Sequence, residues 1–458
     1  MLTKKSLWIT VLGCLLGMAL LVTLVSALWR AATSQVGQMR RLPDGSTLKL
    51  VQVAFTATNS YNYSYRKGGP VLRLIAPVLP AFLRNRLDLS GGSFGFGLEG
   101  DTNLLVITLN RGTPPTAGSS VGRLRVFDDQ GNEFDACWGA NTLGFLGETV
   151  HGWQVRAFPR RSRTVGLKFL ARTSNGGWTN AAEFEIPNRL FADFAQWTPE
   201  ARPTTKTNGA LAVTLAQFQS GGLMARRSQG DPMTDPRVTH LVCAFDEAGK
   251  PSLDWRVQKL TLSDATGNRW FPYLDFVEQE FNWTTNGTVE FLGGLWPGEK
   301  AWKLDLEVIR TAGFKPEELW EVAMPLPAPG AVATLTNTWE YEGRRVTLVG
   351  LASPNTDHAG DFRWVAKWWG EEKNRVYSLA LQLGGDLRGW RLSVIRAVDQ
   401  TGAEVKIVQH GSQDYPTQAV FLKPEDNASA VRLTLALQRS RFFQFLARPD
   451  FVGAGATK

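Results

Sequence analysis

Apolar and polar residues alternate along this chain in short runs, each closed by a turn signal. In "AWKLDLEVI", Trp302, Leu304, Leu306 and Val308 fall on one side, and Lys303, Asp305 and Glu307 on the other. That period of two belongs to a strand with one buried face. Similar runs open on a glycine in "GSTLKLVQVAF" from Gly45, "GALAVTLAQF" from Gly209 and "GRRVTLVGL" from Gly343. Long runs of helical period are scarce. Closely spaced strands with turn signals and no intervening helices predict a mainly β chain built of antiparallel sandwiches.

The runs recur in a fixed order around one turn motif, D-x-[QT]-G. It occurs as Asp128–Gly131, Asp264–Gly267 and Asp399–Gly402, with the aspartates spaced 136 and 135 residues apart. Nine residues before the turn stand Trp255-Arg256 in the second copy and Trp390-Arg391 in the third, while the first has Ser119. An apolar strand precedes each turn, near Asn103, Thr239 and Val376. A proline follows it (Pro159, Pro297, Pro424), and then an alternating strand. The closing segments are "EFEIP", "LWEVAMP" and "FFQFLARP".

These repeats predict three tandem antiparallel β-sandwich domains of immunoglobulin-like architecture. Their expected extents are 42–188, with an insertion at 56–102, then 205–327 and 338–452. The linkers 189–204 and 328–337 carry the proline, threonine and alanine common between domains. The Cys…Trp…Cys spacing of antibody domains is absent, and no family is assigned.

The N-terminus reads differently. Lys4 and Lys5 precede 23 uncharged residues from Leu7 to Trp29, and Arg30 follows. A helix of that length crosses a hydrocarbon core of about 30 Å, so residues 1–35 are expected to be a membrane anchor. A cleavable signal has a shorter apolar region, about 7–15 residues, and cleavage near Ala27 or Ala32 is the second reading. Lipidation at Cys14 is the third, disfavoured by bulky Leu12 and by the apolar run beyond it. The lysines before the span favour a cytoplasmic N-terminus with the bulk of the chain exported, periplasmic or extracellular.

Composition narrows the chemistry. The formal charge is +8, which would suit an anionic partner. The basic residues are dispersed, though, and the densest group, Arg160–Arg163, reads as a solvated face; nucleic acid is not indicated. Three cysteines and four histidines fit neither a disulfide scaffold nor a metal site. Cys137 and Cys243 read as packed thiols, and no cofactor is expected.

The motif D-x-T-G invites comparison with the D-T-G of aspartic proteases, whose two carboxylates share one proton. Here a residue intrudes, and the first copy has Gln130 in place of threonine. Aspartate at the first position of a turn, closed by a glycine of positive φ, explains the motif locally. Asp128, Gly131, Asp264, Gly267, Asp399 and Gly402 are therefore expected to be structural. No nucleophile elbow, phosphate loop or calcium loop occurs. The carboxylates Asp275, Glu278 and Glu280 have a separation that sequence does not give, so no catalytic residue is assigned.

The copies diverge in the loops 56–102, 219–237 and 352–375, and in repeat proteins such loops are often the binding side. The third holds Trp364, Trp368 and Trp369, the candidate ligand-binding residues; Trp283 and Trp296 are further tryptophans of open role. Trp255 and Trp390 read as core. The expectation is a non-enzymatic, membrane-anchored envelope protein whose β-sandwich modules serve binding, spacing or assembly. The alternative is a carbohydrate-binding or carbohydrate-active surface protein using the third domain's tryptophans.

Overall fold

The computed structural model describes residues 38–56, 60–66, 91–97, 103–111, 121–135, 137–145, 148–155, 157–172, 177–221, 238–270, 282–284, 287–292, 295–354, 356, 376–386, 388–410 and 417–451. The expected anchor, including Leu7 and Trp29, lies outside them, as do Trp364, Trp368 and Trp369. Among the described residues no helix is long and apolar enough to cross a membrane. The fold is mainly β, a set of antiparallel sheets of sandwich-like arrangement. The chain forms two compact units: Met1–Gln196 with Asp264–Trp270 and Gly293–Glu299, and the remainder.

In the first unit, one sheet orders its strands Met39–Arg41, Thr47–Thr56, Asn103–Arg111, Glu148–Val155 and Cys137–Phe145. The other orders Trp178–Pro187, Thr164–Arg172, Val121–Phe127 and Glu133–Asp135. Alternate residues of both enter one core: Leu48, Leu50, Leu104 and Val106 from the first sheet, Leu124, Val126, Val165, Leu167 and Phe184 from the second. The closing strand folds back on its own predecessor, pairing Thr164 with Pro187 and Leu167 with Phe184. Within the 56–102 region, Ser60–Arg66 and Gly91–Gly97 form a two-stranded ladder. The glycine-rich Gly91–Gly97 is thus a strand.

The second unit contains two comparable sheets, of seven and six strands, each with a five-strand main path. Both place a glycine-led strand, Leu211–Ser220 or Arg344–Ala352, beside the next apolar strand, Val238–Glu247 or Tyr377–Gly384. Each leading strand, Thr47–Thr56 included, carries a register shift at a matching place: Leu50/Gln52, Leu215/Gln217 and Leu348/Gly350. A bulge adds local twist, and it recurs in all three leading strands.

The remaining strands of the second unit do not close as Trp178–Pro187 does. Leu319–Pro325 leaves the second copy and pairs with Ala430–Arg439 of the third, from Leu319↔Ala436 to Pro325↔Ala430. In return, Arg441–Ala447 of the third copy pairs with Trp302–Arg310 of the second, from Trp302↔Ala447 to Val308↔Arg441. Each closing strand thus pairs with a strand of the other sequence repeat. The register of the first copy is preserved, since Val431↔Met324 and Leu433↔Val322 match Val165↔Ile186 and Leu167↔Phe184.

The exchange has a local cause. Only Ser440 separates Ala430–Arg439 from Arg441–Ala447. The shortest common hairpin loop has about two residues, so the chain cannot reverse there and runs on into the neighbouring copy. The connection 311–318 of the second copy is longer. It contains Pro316 and a 3-10 turn, Pro316–Glu318, and Thr311 donates through N and Oγ1 to the Asp254 carbonyl. Once exchanged, Val322 and Met324 join the third copy's core with Leu381, Trp390 and Leu433. Phe443, Phe445 and Ala447 are buried beside Leu304 and Leu306. Burying each phenylalanine contributes about 1.5–3 kcal/mol, so the donated strands are integral to the cores.

Candidate functional site

The three turns share one geometry. Asp264 Oδ1 accepts hydrogen bonds from Thr266 N (2.9 Å), Thr266 Oγ1 (2.7 Å) and Asn268 N (3.0 Å), while Oδ2 accepts from Asn268 Nδ2 (2.8 Å). Asp399 accepts likewise from Thr401 N, Thr401 Oγ1 and Ala403 N. Asp128 accepts from Gln130 N, Asn132 N and Asn132 Nδ2. The glycines that close the turns have φ of +83°, +90° and +88°, a region that side chains disfavour. Both carboxylate oxygens of Asp264 are turned onto its own loop, as a turn-forming aspartate requires.

Environment separates these aspartates. Asp264 is 2% exposed, and burial pushes its carboxyl above the ordinary aspartate range, opposed by the hydrogen bonds from Thr266 and Asn268. At Asp399 the hydrogen bond from Thr401 leads, and the carboxyl is held below that range. Asn268, buried in the first unit, donates to the Phe158 carbonyl and accepts at Oδ1 from Phe158 N and Arg160 Nε. Arg160 also donates to the Thr266 carbonyl (2.9 Å). Arg161 grips Glu299 with Nε (2.7 Å) and Nη2 (3.2 Å) and donates to the Phe194 and Ala195 carbonyls. The "RRSR" cluster is therefore not a solvated basic face. Arg160 is buried, and Arg161 is paired with a buried glutamate.

Of the tryptophans whose role the sequence left open, Trp296 is core, packed edge-on to Phe134 at 4.9 Å. Trp255 and Trp390 are also buried. Cys243 is free and buried, and burial pushes its thiol up to about 12. Among the described residues, no group of three or more histidines, cysteines, aspartates or glutamates could hold a metal ion.

The strand crossover in the second unit brings together side chains that the sequence gives no reason to pair. Arg391, of the Trp-Arg pair in the third copy, donates from Nε and Nη2 to the two carboxylate oxygens of Glu307, both at 2.6 Å. Both side chains are over nine-tenths buried, at 8% and 5% exposure. Ser440 Oγ donates to Glu307 Oε1 at 2.5 Å, tying the single-residue hinge to the pair. Nearby, Gln438 accepts from Arg310 N and donates to the Arg310 carbonyl, both at 2.7 Å. The only sequence signal for this arrangement was a glutamate at an alternating position followed, in the third copy, by a strand-to-strand joint without a turn.

Above the ion pair lies a groove of about 820 Å³, within the range of about 300–1,000 Å³ usual for small-molecule clefts. Its floor is the outer face of three adjacent strands, Trp255–Asp264, Trp302–Arg310 and Arg441–Ala447, and its lip is formed by Gly385, Asp386, Arg388 and Gly389. No protein-family model matches the chain, and no curated protein is significantly similar to it.

Proposed function

We propose that this chain is an exported envelope protein, anchored by residues 7–29, in which three tandem immunoglobulin-like sandwiches serve binding, spacing or assembly rather than catalysis. The reciprocal exchange of Leu319–Pro325 and Arg441–Ala447 carries the reading. Domains joined only by a linker meet through modest, rather polar interfaces and move by default. Two copies that complete each other's sheets cannot separate without unpairing both strands and exposing Val322, Met324, Phe443 and Phe445. Such a joint suits a part that must hold a fixed spacing. The loops 56–102, 219–237 and 352–375 would then present contacts to a protein or glycan partner.

Fractionation of cells producing the full chain tests the reading. It should sediment with membranes, resist salt and alkaline carbonate, and be cut by protease added from the exported side. A soluble chain whose N-terminus begins after residue 27 would overturn the anchor.

A further inference from the structure

The groove over the Glu307–Arg391 pair has properties that select a ligand. Its charged lining is balanced: Lys259, Arg388 and Arg391 face Asp305, Glu307 and Asp386. A chain of formal charge +8 thus places a groove of no net charge on its surface. Polyanions gain most from uncompensated cations, so this lining does not favour nucleic acid or acidic glycans.

Phe442 supplies the second property. Its ring stands 56% exposed on the groove floor, on the strand donated by the third copy. The ring lies against Gly389, where an added Cβ would meet it at 3.2 Å. Beside it, Gln444 Nε2 donates to Asp305 Oδ1 at 2.7 Å, so a planar amide and a carboxylate are already oriented on the same face. An exposed aromatic face flanked by fixed planar polar groups matches a sugar ring, which has an apolar C–H face and hydroxyls around its rim.

A third observation weighs against a peptide strand. Peptides that extend a sheet need a free backbone edge, but the groove floor is a sheet face. The edge of Arg441–Ala447 is also engaged: Glu200 N donates to the Leu446 carbonyl, Leu446 N to Glu200 Oε2, and Asn208 Nδ2 to the Phe442 carbonyl.

We infer that this groove binds a neutral saccharide chain, with Phe442 as the stacking platform and Gln444 and Asp305 as hydroxyl partners. The site goes beyond a spacing role and is built from residues other than Trp364, Trp368 and Trp369. It also gives the exchange a functional consequence, because the platform exists only where the third copy's strand lies on the second copy's sheet.

The test is calorimetric titration of the full-length chain in mild detergent with maltohexaose, cellohexaose and chitohexaose, and with a heparin hexasaccharide as the anionic probe. At least one neutral oligosaccharide should bind saturably. Phe442→Ala should weaken it about tenfold or more, while Phe442→Tyr, which keeps the ring, should stay within about twofold. Because the ring is exposed, both variants should keep the parent's unfolding midpoint. The inference is overturned if no neutral hexasaccharide binds, if only the heparin fragment does, or if Phe442→Ala binds like the parent. None of these results depends on where the chain resides in the cell, so fractionation fails or succeeds separately.

Discussion

Glu307 and Arg391, 84 positions apart, form a two-point ion pair with both bonds at 2.6 Å, sealed at the crossover of two exchanged strands. Burying the two charges costs solvation that their attraction only partly returns. Removing one partner leaves the other charged and dry. Glu307→Leu or Arg391→Met alone should therefore destabilise the fold by about 3–5 kcal/mol, whereas the two together should recover most of that loss. Urea unfolding of the four proteins checks this. Additive losses in the double variant would count against a coupled pair.

The repeated turn offers an internal comparison, since Asp264 and Asp399 are both buried, at 2% and 6% exposure, yet shift in opposite directions. Carboxyl carbon NMR should find Asp264 titrating above the ordinary aspartate value and Asp399 below it. The consequences for stability have opposite signs. The raised group favours its protonated form in the fold, so its contribution is present at low pH and lost as pH rises through the folded value. The depressed group's contribution is present above the unfolded value and lost as pH falls through the folded one. Equal titration of the two would contradict the opposite shifts.

His151, on the strand Glu148–Val155, is 7% exposed, and burial lowers its imidazole from 6.5 to about 4. Between those values the unfolded chain takes up a proton that the fold refuses. Stability should fall as pH drops from 6.5 toward 4, by up to about 3 kcal/mol. Denaturant midpoints measured across this window should show the slope in the parent and lose it in His151→Gln. A slope that persists in the variant assigns it to other groups.

Much of the β architecture was legible in the chain because period-two alternation and turn chemistry are local properties. Trp302, Leu304, Leu306 and Val308 had to share a face, and the Asp-x-Thr-Gly turns had to bend where they do. Partner choice was not legible. Leu319–Pro325 carries the same alternation whether it returns to Trp302–Arg310 or crosses to Ala430–Arg439, and the register is the same in both arrangements. The missing signal was an absence: no turn residues stand at Ser440. Burial of Arg160 was hidden for a related reason. Its partners, the Thr266 carbonyl and Asn268, lie 106 and 108 positions away, and the sequence alone shows only four clustered basic and polar residues.

Strand exchange is the feature on which the spacing role and the saccharide platform both depend, and two cysteine pairs test it directly. Asp305 and Gln444 are register partners in the exchanged arrangement. If the second copy closed on itself as the first does, the partner of residue 305 would be Glu321, by correspondence with Lys168↔Glu183. In a background with Cys14, Cys137 and Cys243 replaced by alanine or serine, Asp305→Cys with Gln444→Cys should oxidise to an intramolecular disulfide in the folded chain. Asp305→Cys with Glu321→Cys should stay reduced under the same conditions. A disulfide in the second pair and none in the first would contradict the exchange.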